Sequence, residues 1–231
     1  MSTVPVNDGL GFWTAWWKEG SPIWQRPGVC SRLIENKDTI LAGKTNAQVF
    51  IPLCGKAHEL KWFRDMGHRV VGVEFIEDCI REYFHENDLE MEESVCPVIN
   101  CKILQTPDTT IRVFICDIFD FKRECAGCMD IVWDRSGFTC VLQEDRPRYT
   151  AQIKSLLADD FSYGLWALTY DAPWYNRSPR SLDEATIRKL YGDIAKLTLL
   201  DSKTNDRPRF LEGRAAATTY LWHMTPAHSS K

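Results

Sequence analysis

The sequence predicts an α/β protein with a doubly wound, mostly parallel sheet of seven strands, helices on both faces and an antiparallel hairpin at its carboxyl end. From about residue 48 onward, short apolar runs alternate with segments of helical periodicity. Parallel neighbours need such crossover helices. Several runs are almost continuous in Val, Ile, Leu and Phe, which is typical of strands covered on both faces.

Seven apolar runs are the predicted strands. They lie at residues 47–53, 69–76, 111–119, 129–135, 163–170, 197–203 and 218–224. The last two are separated by a polar loop without helical periodicity, so we expect them to pair as an antiparallel hairpin.

Four segments between these runs have the spacing of amphipathic helices. They lie at residues 57–67, 77–88, 147–159 and 181–193. The first ends at Gly67, as helices often do. The last begins with Ser181 and Glu184 in the register of a capping box.

Composition favours one domain spanning residues 1–231, in which residues 1–10 are expected to be flexible and the aromatic segment 11–30 forms a separate unit before the sheet. The net charge of -4 gives no electrostatic basis for binding nucleic acid. No run of about 18 apolar residues occurs, and residues 1–13 have neither the basic segment nor the apolar run expected of a signal peptide. We therefore expect a cytoplasmic monomer whose partners are small molecules rather than nucleic acid or a membrane.

Nine cysteines, scattered over predicted strands, turns and helices, indicate a reducing compartment. Cys125 and Cys128 have the spacing of a zinc knuckle, but the remaining Cys and His residues provide no second pair of ligands. We predict no metal site, and interpret most of the cysteines as small buried hydrophobic residues.

The turn after the first strand reads PLCGKA, at residues 52–57. It has the position of a nucleotide-binding turn, but Pro52 and Leu53 replace the glycines that let a backbone approach a pyrophosphate. The N–H groups of the loop and the following helix still suit a carboxylate or a phosphate. A small zwitterion fits this turn better than a dinucleotide.

Polar residues follow three further predicted strands, whose carboxyl ends form the binding edge of such a sheet. Glu74 follows the loop by about twenty residues, the place of a ribose contact. Asp117 and Ile118 suit an adenine amino group and ring, and Arg135 leaves the fourth strand beside Asp134. Together they favour S-adenosylmethionine modestly over a dinucleotide, with a surface glutamate and a structural Asp–Arg pair as the alternatives.

Five segments together resemble the thiopurine S-methyltransferase family in their order and spacing over roughly residues 12–225. They are FWTAWW, VFIPLCGKAHELKWFRDMGHRVVGVEF, CDIFDF, MDIVWDRSGF and LLADDFSYGLWALTYD. The resemblance implies a class I methyltransferase (Rossmann-like) fold and S-adenosylmethionine as cofactor, with S-adenosylhomocysteine as product. It also implies that residues 11–30 form a lid over the cofactor.

The resemblance also assigns roles to individual residues. Those implied to bind the cofactor are Trp13, Trp17, Leu53, Gly55, Glu74, Asp117, Ile118 and Arg135. Arg135 is the residue implied at the methyl-transfer site, and Trp24 matches a further aromatic residue of the lid. Arg207 is the nearest match to a substrate-side arginine.

The segment APWYNRSPRSL, at residues 172–182, departs from the family pattern. It adds Trp174 and Tyr175, which we predict to bind a flat substrate together with Trp24 and Arg207. The family resemblance, together with these aromatic residues, implies a heteroaromatic or aryl thiol as the methyl acceptor. Simple thiols, sulfide, selenium compounds and halide are alternatives, and a non-catalytic nucleotide-binding or scaffold protein is the alternative of another class.

Overall fold

The computed structural model describes residues 10–18, 27–135 and 137–227. In this part of the chain, nine strands form a single sheet. They are β1 (Gln48–Pro52), β2 (Arg69–Glu74), β3 (Glu92–Val95), β4 (Lys102–Gln105), β5 (Ile111–Ile115), β6 (Met129–Arg135), β7 (Leu157–Tyr170), β8 (Ala195–Asn205) and β9 (Ala217–Pro226).

The sheet has the order β3-β4-β5-β2-β1-β6-β7-β9-β8. Strands β5, β2, β1, β6 and β7 are parallel, and β9 pairs antiparallel with both β7 and β8. The predicted doubly wound sheet and the carboxyl-terminal hairpin are confirmed. The chain winds in both directions from β1, so the switch point lies between β1 and β6.

The predicted number of strands was wrong, because β3 and β4 were missed. They form an antiparallel hairpin that joins the edge of the sheet through β5. Each is only four residues long, and β3 is largely exposed. The largely polar edge strand β3 and the strand β4, which has only two apolar residues, lack the continuous apolar runs that identified the other seven.

The described helices are α1 (Leu10–Lys18), α2 (Ser31–Glu35), α3 (Lys37–Leu41), α4 (Glu59–Asp65), α5 (Glu77–Glu86), α6 (Arg123–Ala126), α7 (Gly137–Cys140), α8 (Arg146–Leu156) and α9 (Glu184–Tyr191). None of them is long and apolar enough to span a membrane. Helix α9 begins later than predicted, because Asp183 caps it by accepting a hydrogen bond from Thr186 N at 2.8 Å. Ser181 instead accepts a hydrogen bond from Tyr170 N.

Side chains of the central strands alternate between two hydrophobic clusters, one on each face of the sheet. In β1, Phe50 belongs to one cluster, while Val49 and Ile51 belong to the other. All three are almost completely buried. Because successive residues of a strand point to opposite faces, a strand covered on both sides is apolar throughout. Polar side chains therefore occur mainly at its ends, including the carboxyl end.

Candidate active site

A cavity of 320 Å³ lies at the carboxyl ends of β1, β2, β5 and β6, beside the switch point. All eight residues predicted to bind the cofactor line it: Trp13, Trp17, Leu53, Gly55, Glu74, Asp117, Ile118 and Arg135. The structure thus brings together residues that are as much as 122 positions apart in the sequence. This is where ligands bind in doubly wound sheets.

The loop after β1 is shaped by two left-handed residues and one aromatic ring. Leu53 and Gly55 both have φ of 47°. A Cβ atom at Gly55 would lie 2.9 Å from Cζ2 of Trp17, so only glycine lets the ring of α1 pack directly on the loop. The Lys56 ammonium lies 5.9 Å from the centroid of the same ring.

Glu74 is a buried acidic residue of the cavity, and it ties β2 to this loop. Its carboxylate accepts hydrogen bonds from the N–H groups of Gly55, Phe75 and Ile76, each at 2.9 Å. Burial raises the pKa of Glu74, and the three hydrogen bonds offset part of that effect. The alternative of a solvated surface glutamate does not describe this residue, which is 8% exposed.

Asp117 and Ile118 follow β5 on the same edge. Asp117 Oδ1 accepts a hydrogen bond from Phe119 N at 3.0 Å, which fixes the turn. Ile118 is almost completely buried and packs into the hydrophobic cluster on one face of the sheet. The two residues therefore present a carboxyl group and an apolar side chain next to each other at the cavity.

Arg135 is held by Glu59, a residue that the sequence analysis missed. Its Nη1 donates to Glu59 Oε1 at 3.0 Å, and Cys30 N donates to the same oxygen at 3.1 Å. The Glu59 side chain is completely buried, whereas that of Arg135 is 23% exposed. Among the described residues, Glu59 Oε2 has no hydrogen-bond partner. The cavity wall therefore contains a salt bridge whose two charges nearly cancel, and the Arg135 guanidinium is its more exposed group.

Asp134 has a different set of partners from Arg135, its neighbour in sequence. It accepts hydrogen bonds from Tyr149 Oη (2.8 Å), Tyr163 Oη (2.9 Å) and Phe138 N (3.1 Å). Burial raises its pKa. The Asp–Arg pair considered from the sequence is thus replaced by an Arg135–Glu59 pair in the cavity and an aspartate that joins β6 to α8 and β7.

Three of the four residues predicted to bind substrate lie elsewhere in the structure, and Trp24 lies outside the described residues. Among those described, Trp174, Tyr175 and Arg207 do not line the cavity. Trp174 stacks under the Arg214 guanidinium at 4.2 Å, and Tyr175 packs edge-on against Phe210. Arg207 is exposed in the β8–β9 loop.

The cavity also has residues that no sequence motif indicated. Cys140, Val141 and Leu142, which follow β6 at and beyond the end of α7, line the wall near Arg135, and His58 and Asp145 contribute further polar groups. The segment MDIVWDRSGF ends at residue 138. The residues of this wall that come after it are identified only by where the structure places them. No group of three or more His, Cys, Asp and Glu residues in the described ranges could hold a metal ion.

Comparisons with known proteins agree with this architecture. The model of the thiopurine S-methyltransferase (TPMT) family matches residues 9–225. A probable thiopurine S-methyltransferase of Danio rerio is 35% identical over 194 residues, covering 84% of each chain. Thiopurine S-methyltransferase of Rattus norvegicus is 39% identical over 165 residues, covering 71% of this chain and 69% of its own.

Solved structures show the same fold at low identity. The Burkholderia thailandensis 1,6-didemethyltoxoflavin-N1-methyltransferase, crystallised with S-adenosylhomocysteine, has a TM-score of 0.62 at 15% identity and covers 95% of this chain and 87% of its own. The N-methyltransferase NodS of Bradyrhizobium japonicum has a TM-score of 0.57 at 11% identity, covering 93% of each chain. The chain thus has the class I methyltransferase fold and belongs to the thiopurine S-methyltransferase family, a family of enzymes that use S-adenosylmethionine as methyl donor.

Proposed function

We propose that this protein transfers the methyl group of S-adenosylmethionine to a small sulfur nucleophile, with a heteroaromatic or aryl thiol as the preferred acceptor. The observation that supports this most directly is the cavity at the switch point, in which Glu74, Asp117 and Arg135 come together from three strand ends. A scaffold protein would have no use for a buried carboxylate and a guanidinium in one cavity.

The residues of the cavity fit the cofactor chemically. Glu74 provides an acceptor for ribose hydroxyls, and Asp117 with Ile118 suits the adenine amino group and ring. Gly55 has no side chain that would collide with Trp17, so the Trp17 ring packs directly on the loop. We propose that Trp13 and Trp17 act as the inner side of a lid formed by residues 11–30, where aromatic faces stabilise a positive charge. When bound, the cofactor supplies an electrophilic methyl group.

Arg135 is the proposed catalytic residue, because its guanidinium lines the cavity at the end of β6. Its charge favours the deprotonated form of a bound thiol, and a thiolate needs no separate general base. The salt bridge to Glu59 fixes the position of the guanidinium and offsets part of its positive charge. The site therefore binds an anion weakly enough to release it after the reaction. Alignment and exclusion of water complete the contribution of the enzyme.

The apolar wall formed by Val141, Leu142 and Trp133 suits a flat ring better than a small ion. We therefore place a heteroaromatic thiol before alkyl thiols, sulfide, selenium compounds or halide. Trp24, Trp174, Tyr175 and Arg207 remain predictions for the outer part of the acceptor site. The scatter of an odd number of cysteines, nine, over the chain supports the proposal that the protein works in the cytoplasm, and the monomeric state stays a prediction.

Turnover of labelled S-adenosylmethionine with a panel of acceptors tests this proposal. The panel contains heteroaromatic thiols, aryl thiols, alkyl thiols, sulfide, iodide, a catechol and an amine. We expect the highest kcat/KM with aryl or heteroaromatic thiols. Faster methylation of the catechol or the amine than of every thiol would contradict the sulfur assignment, and binding of S-adenosylhomocysteine without turnover of any acceptor would favour a non-catalytic role.

A further inference from the structure

The segment at residues 172–182, which departs from the family pattern, is hydrogen-bonded to one wall of the cavity. Arg180 N donates to the carbonyl of Thr139 at 2.7 Å, and Arg180 Nη1 donates to the carbonyl of Cys140 at 3.0 Å. Ser178 Oγ donates to the same Cys140 carbonyl at 3.2 Å and accepts from Arg180 Nη1 at 2.9 Å. Two residues of this segment thus hold the last two residues of α7 by their carbonyl groups.

The wall that receives these bonds follows a very short helix. We call residues 140–142 the acceptor wall; they line the cavity at and beyond the end of α7, which has only four residues. The last four carbonyl groups of a helix have no partner within it. Partners for the carbonyl groups of Thr139 and Cys140 therefore have to come from outside α7, and residues 172–182 provide them. The position of the acceptor wall depends on these bonds.

The segment is itself fixed to β7 and α8, so it can support the acceptor wall. Tyr170 Oη, at the end of β7, donates to the carbonyl of Pro179 at 3.0 Å. Arg146 Nη2, from the first residue of α8, donates to the carbonyl of Ser181 at 2.8 Å, and Arg146 is buried. Residues 172–182 therefore connect the acceptor wall to two elements of the main fold.

We propose that Arg180 and Ser178 determine which acceptors fit the cavity, as positioning residues that act through the Cys140 carbonyl. This inference rests on the proposed function, because it takes the acceptor wall as the surface on which the acceptor ring lies. Neither Arg180 nor Ser178 is among the described residues that line the cavity, so their effect passes through the wall. Loss of the bonds changes the space for a flat ring, whereas the groups proposed to bind ribose and adenine, at the ends of β2 and β5, keep their positions.

An arginine suits this role because its guanidinium carries several donors in one fixed plane. Arg180 Nη1 donates both to the Cys140 carbonyl and to Ser178 Oγ, so the serine hydroxyl is oriented to give its own proton to that carbonyl. Both side chains are partly buried, which strengthens hydrogen bonds relative to those in water. Removal of either donor should therefore weaken the hold on the same carbonyl.

Calorimetric titration of a thiol into the protein saturated with S-adenosylhomocysteine measures acceptor affinity without turnover. We expect Arg180→Met and Ser178→Ala each to bind purine-6-thiol roughly 2- to 12-fold more weakly than the wild type, the range of one lost hydrogen bond. The loss should be smaller for pyridine-2-thiol, whose single ring contacts less of the wall. In the double variant the two losses should not add, because both residues act on one carbonyl. Affinity for S-adenosylhomocysteine should be unchanged.

The matched control is Arg177→Met, three residues before Arg180 at an exposed position, which should bind both thiols like the wild type. A thermal melt checks the folding of each variant, and Ser178→Ala, which removes only a hydroxyl group, decides the test if Arg180→Met does not fold. Wild-type thiol affinity in folded Ser178→Ala, an equal loss for both thiols, a parallel loss of S-adenosylhomocysteine affinity, or no thiol binding by the wild type would overturn the inference. Thiol binding without methylation would contradict the proposed function alone.

Discussion

Replacement of Glu74 tests the proposed ribose contact, provided that the right substitution is used. In Glu74→Ala, the buried N–H groups of Gly55, Phe75 and Ile76 lose their acceptor. Each unpaired group lowers the folding free energy by about 1–3 kcal/mol. The loop would then lose its structure, and the effect on the ligand contact could not be measured separately. Glu74→Gln keeps the size of the side chain and one oxygen, which can still accept from Phe75 N and Ile76 N. It removes the charge and replaces the oxygen that accepts from Gly55 N by an NH2 group, so a thermal melt must show that the variant is folded.

The expected loss follows from the change in hydrogen-bond type. A bond to a charged acceptor contributes about 1.5–3 kcal/mol and a neutral one about 0.5–1.5 kcal/mol. The difference of about 1–1.5 kcal/mol predicts roughly 5- to 12-fold weaker binding of S-adenosylhomocysteine in Glu74→Gln. Isothermal titration calorimetry measures this directly. Glu90→Gln, a change at an exposed position, is the control and should bind like the wild type.

An analogue without ribose hydroxyls completes the test. It should bind less tightly than S-adenosylhomocysteine to the wild type, and most of that difference should disappear in Glu74→Gln, because both changes remove one interaction. Wild-type affinity in a folded Glu74→Gln protein would refute the assignment. The assignment would also be refuted if the analogue lost as much affinity relative to S-adenosylhomocysteine in Glu74→Gln as it does in the wild type. Glu74 would then serve only to hold the loop.

Three further predictions concern the same edge of the sheet. Glu59→Gln should shift the pH profile of kcat/KM for an ionisable thiol to lower pH, because the charge of Arg135 is no longer offset; an unchanged profile would contradict this role. Gly55→Ala should lower cofactor affinity, because its Cβ would collide with Trp17; calorimetry measures this. For Asp134, whose pKa is raised by burial, the native state binds the extra proton, so the unfolding free energy of the wild type relative to Asp134→Asn should fall as the pH rises above 3.8. Denaturant titrations at several pH values measure that difference, and a constant or rising difference would contradict it.

Arg135 needs a compensated variant for its own test. Its removal leaves Glu59 buried without a cation, which costs about 3–5 kcal/mol. Loss of activity in Arg135→Ala would therefore have two causes, the lower stability of the fold and the missing guanidinium. In the double variant Arg135→Met with Glu59→Gln, both charges are gone. We expect it to stay folded and to lose activity toward thiolates, as measured by turnover beside a thermal melt; full activity would contradict the catalytic role.

The parts of the molecule that depend on local chemistry could be predicted from the sequence. Strands such as β1 and β6 are apolar throughout because both faces are covered, and this pattern is visible without a structure. Glu74 and Arg135 could be found because each is the polar residue at the end of such a strand. Strand β3 has no such pattern because most of its residues are exposed at the edge of the sheet, and β4 has only two apolar residues, Ile103 and Leu104, between polar ends.

Contacts between distant segments could not be predicted in the same way. Glu59 lies within the predicted helix at residues 57–67, and nothing near it in the sequence shows that Arg135 returns to it 76 residues later. Trp174 and Tyr175 are predicted to bind the substrate because they are aromatic, and nothing in the sequence shows that they contact Arg214 and Phe210. Spacing identifies which residues leave the sheet, and only the packing decides which residue each of them contacts.

The position of the transferred methyl group on a heteroaromatic thiol with a ring nitrogen tests the central claim most directly. In this acceptor, sulfur and nitrogen compete within one bound molecule, so differences in binding cannot affect the outcome. With methyl-labelled S-adenosylmethionine, NMR of the product should show the label on sulfur, because Arg135 favours the thiolate. A product labelled on the ring nitrogen would contradict the account.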